Sequence, residues 1–214
     1  ASWKRRFKVF NEPHTTSEKE INFYHFAESL SKNLLPNSCV VTDAGSAFYV
    51  MGQALRLSEG QRFISSGSLG AMGFALPAAN GAAAACISEP TICVTGDGSL
   101  MTNLHDLATM KEQNSNLKLF VINNDGYVSM RNTQQHFFDG HLVGADSNSG
   151  VMIPCLASIS KTFNLPFFRC DSLDILDEFI QNVLTFKGPV VCAIVAQRAQ
   201  KIIPSVTSIK LADG

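Results

Sequence analysis

The chain has 214 residues, of which 45% are hydrophobic and 16% are charged. This length suits one large α/β domain or two small ones, and the apolar composition indicates a large core, a large subunit interface, or both. The 17 basic and 18 acidic residues give a net charge of -1, which argues against nucleic-acid and membrane-surface partners because both need a basic surface.

Both ends of the chain are predicted to lie outside the main domain. Residues 1–19 are polar and are expected to form a linker or N-terminal extension, and residues 201–214 are expected to begin a C-terminal tail. No apolar signal core opens the chain, and no apolar run reaches the roughly 18 residues of a membrane span. The six cysteines form no C-x-x-C pair, which favours reduced thiols in a cytoplasmic protein.

Predicted strands and helices alternate over residues 20–200, which we assign to one domain. In chain order we expect a helix at 20–35, a strand at 39–42, a strand-to-helix turn at 43–46, a glycine-rich loop at 65–73, an alanine-rich helix at 78–85, a strand at 91–95, a helix at 103–114, a strand at 117–122, a long polar loop at 131–154, a helix at 159–164, a strand at 167–168, a helix at 172–184 and a strand at 190–195. This order predicts a three-layer α/β fold, with a mostly parallel sheet between two layers of helices.

Two polar segments follow neighbouring predicted strands. Residues 96–99, Gly-Asp-Gly-Ser, end one strand, and Asn123-Asn124 end the next. A right-handed crossover can bring Asp97 and Asn124 together, and a carboxylate with an amide oxygen suits Mg²⁺ bound to phosphate. The two glycines let the backbone approach a ligand, and Ser99 can cap a helix whose first amides favour an anion. The pattern predicts a metal–diphosphate site, although Gly-Asp-Gly alone is also an ordinary turn.

Two other functions are compatible with such a fold. A dinucleotide-binding module is suggested by Gly67-x-x-Gly70-x-x-Gly73, but the spacing differs from G-x-G-x-x-G and no acidic residue ends a strand about 20 residues on. A non-catalytic scaffold is the other possibility. Retention of Asp97 and Asn124 argues against it, because a scaffold needs no metal ligands.

The spacing of Gly-Asp-Gly and Asn-Asn, about 25 residues apart, resembles the thiamine diphosphate motif. The segments 42–45, 66–79 and 96–99 also resemble the C-terminal cofactor-binding domain of acetolactate synthase-like enzymes, and the similarity covers roughly residues 20–200. The resemblance implies thiamine diphosphate and Mg²⁺ as cofactors of a lyase or transferase, a 2-oxo acid decarboxylase or carboligase. It also implies a homodimer or homotetramer.

The resemblance implies roles for individual residues. The side chains of Asp97 and Asn124 and the carbonyl of Gly126 would bind Mg²⁺. The carbonyl of Gly70 would accept a hydrogen bond from the aminopyrimidine, and Met72 would be the apolar wedge that holds the cofactor bent. The other residues implied to contact the cofactor are Gly45, Ser46, Ala47, Ser68, Gly96, Gly98, Ser99, Tyr127 and Val128.

The chain departs from the family pattern in two ways. Thr133 stands where the synthases carry a Trp that helps select the second 2-oxo acid, which leaves the substrate open. No stretch resembles the N-terminal pyrimidine-binding domain, which carries the activating glutamate. We therefore expect that glutamate on another domain, of the same or a neighbouring chain, and very low activity from this chain alone.

Overall fold

The structure is a computed structural model that describes residues 19–86 and 89–203. Nearly all of the predicted N-terminal linker and most of the predicted tail therefore lie outside the described residues. Within the described ranges, no helix is both long and apolar enough to cross a membrane.

Six parallel strands form a single sheet in the described part of the chain. Their order across the sheet is β2-β1-β3-β4-β6-β5. The strands are β1 (Cys39–Thr42), β2 (Arg62–Ile64), β3 (Thr91–Gly96), β4 (Leu117–Asn123), β5 (Phe167–Cys170) and β6 (Val190–Val195). The predicted α/β fold with a parallel sheet is confirmed.

Helices cover both faces of the sheet. The helices are α1 (Phe23–Asn33), α2 (Gly45–Ala54), α3 (Ala75–Ala85), α4 (Asp97–Leu100), α5 (Asp106–Gln113), α6 (Val128–Phe137), α7 (Leu156–Thr162) and α8 (Leu176–Thr185). Alternate strand residues point to opposite faces, so Val40 belongs to the core cluster that includes residues of α1, α2 and α8, whereas Val41 belongs to the cluster that includes residues of α3, α5 and α7. Burial on both faces explains why the central strands are mostly apolar.

The order of the strands positions a crevice at the carboxyl ends of the central strands. The chain runs from β1 outward to β2 and then returns past β1 to β3, so the connections after β1 and β3 leave on opposite faces. Ligands of open α/β sheets bind at such a switch point, beyond the carboxyl ends of the strands. Because β4 lies next to β3, the loop after β4 reaches the same crevice.

The structure differs from the predicted elements at three places. The polar loop expected at 131–154 begins as helix α6, which buries only Val128 and Arg131 and so has no apolar stripe that a sequence pattern could reveal. The helix expected at 103–114 begins later, as α5 at Asp106, and the short helix α4 and a 3₁₀ turn at Met101–Asn103 precede it. Edge strand β2 was not predicted, since it has three residues and packs less of its surface than the central strands.

Candidate functional site

An open cleft lies at the carboxyl ends of β1, β3 and β4. It contains about 510 Å³ of empty space, counting the part that is open to solvent. Most of the residues predicted to contact a cofactor line it, namely Gly45, Ser46, Ala47, Met72, Gly96, Gly98, Ser99, Asn124, Gly126, Tyr127 and Val128.

Three predicted site residues do not line the cleft. Asp97 is completely buried, and its carboxylate is held by backbone amides. Ser68 is exposed in a 3₁₀ turn, and Gly70 ends that turn in a left-handed conformation with a φ of +54°. Met72 of the same segment reaches the cleft while half of its surface is exposed.

The carboxylate of Asp97 joins the loop after β3 to the turn after β4. Its Oδ1 accepts from the amide of Gly98 at 2.8 Å, and its Oδ2 accepts from the amides of Asn124 and Gly126, both at 3.1 Å. Burial raises the pKa of Asp97, and these amides oppose the shift because they stabilise the anion. The amide of Asp125 acts in the same direction, so backbone N–H groups from both loops surround this carboxylate.

The turn after β4 has a constrained backbone. Asp125 and Gly126 are both left-handed, with φ values of +63° and +100°. A Cβ at Gly126 would lie 2.7 Å from the carbonyl oxygen of Ala145, which also accepts from the amide of Tyr127 at 2.8 Å. Glycine is therefore required at 126, and the left-handed Asp125 is a strained position of the kind that concentrates at functional sites.

The two loops also touch through Gly98 and Tyr127. A Cβ at Gly98 would lie 2.4 Å from Cε1 and 2.7 Å from Cδ1 of the tyrosine ring. The absence of a side chain at 98 thus lets the ring pack directly on the backbone of the loop after β3.

Two ten-residue helices begin at the cleft with uncapped N-termini. Among the described residues no side chain accepts from the first-turn amides of α2 or α6, so both helices present N–H groups and the positive end of a helix dipole to the cleft. The buried hydroxyls of Ser46 and Ser129, one in each first turn, have no hydrogen-bond partner among the described residues. A buried hydroxyl without a partner is costly, so this part of the cleft suits an anion that accepts hydrogen bonds.

A buried acid fixes the start of the first loop. Asp43 accepts from the hydroxyl of Thr95 at 2.6 Å and from the amide of Ala44 at 3.0 Å, which joins the ends of β1 and β3. Burial raises the pKa of Asp43, and the hydrogen bond from Thr95 opposes the shift.

Several lining residues were not predicted from the sequence: Phe23, Ala44, Ile122, Ser129 and Met130. Ser129 lies in the first turn of α6, a position that could have been found by recognising the helix start after Tyr127. Phe23 comes from α1, and no local pattern connects it with loops that begin more than 20 residues later.

The described residues contain no cluster of three or more His, Cys, Asp or Glu side chains that could hold a metal ion. Any cation at this cleft would therefore depend on Asp97, with amide, carbonyl and ligand oxygens completing its shell. Mg²⁺ is commonly bound in this way, with one or two carboxylates and several phosphate or water oxygens.

Comparison with known proteins places this geometry in a family. Residues 43–194 match the family described as "Thiamine pyrophosphate enzyme, C-terminal TPP binding domain". The chain is 27% identical over 206 residues to "Acetolactate synthase 2, chloroplastic" of Zea mays, covering 94% of this chain and 31% of that protein. It is 28% identical over 188 residues to "Acetolactate synthase isozyme 1 large subunit" of Escherichia coli (strain K12), covering 87% and 33% respectively. The chain spans about a third of the length of the curated relatives that it matches.

Proposed function

The chain belongs to the thiamine pyrophosphate enzymes as a C-terminal TPP-binding domain, and we propose that its cleft binds the diphosphate of that cofactor through Mg²⁺. One observation carries the proposal. The buried carboxylate of Asp97 stands between two glycines that line the cleft, and at the same cleft two helices begin with uncapped N-termini and two buried hydroxyls lack partners among the described residues. Together these groups match a divalent cation and a diphosphate.

We assign the metal to three ligands. The side chains of Asp97 and Asn124 and the carbonyl of Gly126 would hold Mg²⁺, and the strained turn at 125–126 would fix the last two. The chemistry of these donors supports the assignment, because all are hard oxygens and only one carries a formal charge. Such a set leaves positions for the diphosphate oxygens.

We assign the diphosphate to the start of α2 and to the loop after β3. Gly45, Ser46 and Ala47 would donate through the first-turn amides and the free hydroxyl of Ser46, and Gly98 and Ser99 would contact the opposite side. Ser129, which the sequence did not suggest, supplies a second free hydroxyl at the start of α6. We also assign Gly96, Tyr127 and Val128 to the cofactor contacts, because all three line the same cleft.

We assign the organic part of the cofactor to the segment 67–73. Met72 would be the apolar wedge and Gly70 the carbonyl acceptor, with Ser68 near the pyrimidine. Leu69 and Met72 are large apolar side chains that are 86% and 50% exposed, as expected of a wall that a second domain covers. Within the described residues, Met72 is the one member of this segment in the cleft lining, which disfavours a dinucleotide site built on its glycines.

We propose that the parent protein is a 2-oxo acid decarboxylase or carboligase that resembles acetolactate synthase. When bound, thiamine diphosphate supplies the electron sink for cleavage next to the carboxylate. Residues 20–200 form the diphosphate domain, and a bridge from Ile21 to Ala196 closes it. The activating glutamate would come from a pyrimidine-binding domain of the same or a neighbouring chain in a homo-oligomer, so this chain alone should have very low activity.

Calorimetric titration of the purified protein tests the cofactor proposal. Thiamine diphosphate should bind with Mg²⁺ present and should not bind when the metal is chelated. Asp97→Ala should abolish binding, whereas the exposed Asp171→Ala should leave the Kd unchanged, because Asp171 pairs with Arg169 away from the cleft. Binding of NAD in place of thiamine diphosphate, or metal-independent binding, would contradict the proposal.

A further inference from the structure

We infer that Arg131 is a positioning residue for the metal ligands, an inference that rests on the proposed function. Arg131 lies on α6, and only 5% of it is exposed. It does not line the cleft, so it would act through the backbone of the turn that it holds.

The guanidinium of Arg131 donates only to backbone carbonyls in the described hydrogen-bond network. Its Nη1 donates to the carbonyl oxygens of Asp125 at 2.6 Å and Ala145 at 3.4 Å. Its Nη2 donates to the carbonyl oxygens of Asn124 and Arg198, both at 2.9 Å. One side chain thereby joins the turn after β4, which carries two of the proposed metal ligands, to the loop after α6 and to the segment that follows β6.

One peptide group connects Arg131 with the metal ligand Asp97. The carbonyl of the peptide between Asp125 and Gly126 accepts from Arg131, and the amide of that same peptide donates to Oδ2 of Asp97. A cation and an anion therefore lie at the two ends of one peptide dipole, each at its favourable end. This arrangement fixes the rotation of the peptide plane and holds the left-handed pair at 125–126 in place.

The contacts of Arg131 differ from those of an ordinary buried arginine. Buried cations are normally paired with a carboxylate, yet no carboxylate of the described residues lies within ion-pair distance of its guanidinium. Hydrogen bonds to several carbonyl oxygens offset the desolvation cost of this cation instead, and two of those carbonyls belong to the turn after β4. Arginine suits the task because its planar fork can donate to two adjacent carbonyls at once, whereas lysine presents a single point of charge.

Metal selectivity tests the inference. Mg²⁺ needs a near-ideal octahedron of short bonds, whereas Ca²⁺ accepts flexible geometry with longer bonds, so a loosened turn should penalise Mg²⁺ more. In Arg131→Met, we expect Mg²⁺ affinity in the presence of thiamine diphosphate to fall about 10- to 100-fold, as is usual for groups that orient metal ligands. Ca²⁺ affinity should fall much less. Calorimetric metal titrations of the purified protein measure both values.

Matched variants separate positioning from a general loss of stability. Ile180→Ala removes a fully buried side chain of α8, so it should lower the melting temperature while preserving the Mg²⁺ to Ca²⁺ affinity ratio. Arg169→Met removes an exposed arginine and should change neither property. If Arg131→Met does not fold, Arg131→Lys keeps the charge without the fork and should show a smaller shift of the ratio in the same direction.

The outcomes distinguish this inference from the proposed function. If the unmodified protein shows no metal-dependent binding of thiamine diphosphate, the proposed function fails first. If the unmodified protein binds both metals with the cofactor and Arg131→Met keeps the same affinity ratio, the inference alone is overturned. Equal losses for Mg²⁺ and Ca²⁺ would likewise overturn it, because they would indicate a structural role without control of the ligand geometry.

Discussion

Replacement of Gly98 by alanine should weaken cofactor binding while leaving the fold intact. The added methyl would lie 2.4 Å from Cε1 of Tyr127, and ordinary carbon contacts are about 3.5–4.0 Å, so the ring must retreat by roughly 1 Å. In the free protein the ring can move, because Tyr127 lines the open cleft. With the cofactor bound that space is filled, and the strain falls on the complex.

The size of the effect follows from the cost of overpacking. Insertion of a methyl into a filled space costs about 1–3 kcal/mol, which corresponds to a loss of affinity of roughly 5- to 150-fold. We expect that range for the Kd of thiamine diphosphate at saturating Mg²⁺, measured by calorimetry. The free energy of unfolding without cofactor should change by less than about 1 kcal/mol, measured by urea denaturation.

Two control variants make the reasoning refutable. Gly81→Ala adds a methyl to an exposed position of α3 with no atom within 4 Å, so it should leave affinity unchanged and stabilise the helix slightly. In a Tyr127→Ala background, Gly98→Ala should cost little, because the clash is gone and the two changes are strongly coupled. If Gly98→Ala weakens binding equally with and without the tyrosine ring, contact with Tyr127 is not the cause.

Two further predictions concern a buried cation and the unpaired hydroxyls. Burial lowers the pKa of Lys118 to about 8, so the unfolded chain holds a proton that the folded protein releases. The contribution of Lys118 to stability should therefore rise by about 1–2 kcal/mol between about pH 8 and 10.5. Because burial raises the pKa of Cys93 and Cys192, which act in the opposite direction over this range, urea denaturation should show the rise as a difference between the unmodified protein and Lys118→Met, and a constant difference would contradict it. Ser46→Ala and Ser129→Ala should each weaken thiamine diphosphate binding about tenfold without loss of melting temperature, because neither hydroxyl has a partner in the described part of the chain. A matching fall in melting temperature, or unchanged affinity, would show that the hydroxyls stabilise the fold instead.

The sheet could be predicted from the sequence because its strands are buried on both faces. Strands such as β1 and β6 are continuous apolar runs bounded by polar turns, and the structure gives them the predicted bounds. Helix α6 carries the opposite kind of sequence. Its polar residues face solvent, and its buried members, Val128 and Arg131, pack at the cleft loops, where no periodic apolar face forms.

The site could be predicted where a residue's role depends on its own loop, and not where it depends on distant partners. Asp97 and Asn124 each end a strand, so their convergence follows from the topology of parallel sheets. The role of Arg131 depends on carbonyls that come from three separate segments, and no spacing in the sequence reveals that geometry. The same limit applies to Phe23, which reaches the cleft from a helix that precedes the first strand.

The cleft is assembled from loops that follow three different strands, so it exists only after the sheet has formed. A ligand that binds the folded chain and not the unfolded one adds about 2.7 kcal/mol of stability at a hundred times its Kd. On the proposed function, the cellular concentration of thiamine diphosphate then affects the stability and lifetime of the protein as well as its activity. Chains made during thiamine shortage would open more often and reach cellular proteases sooner, so abundance would fall together with activity.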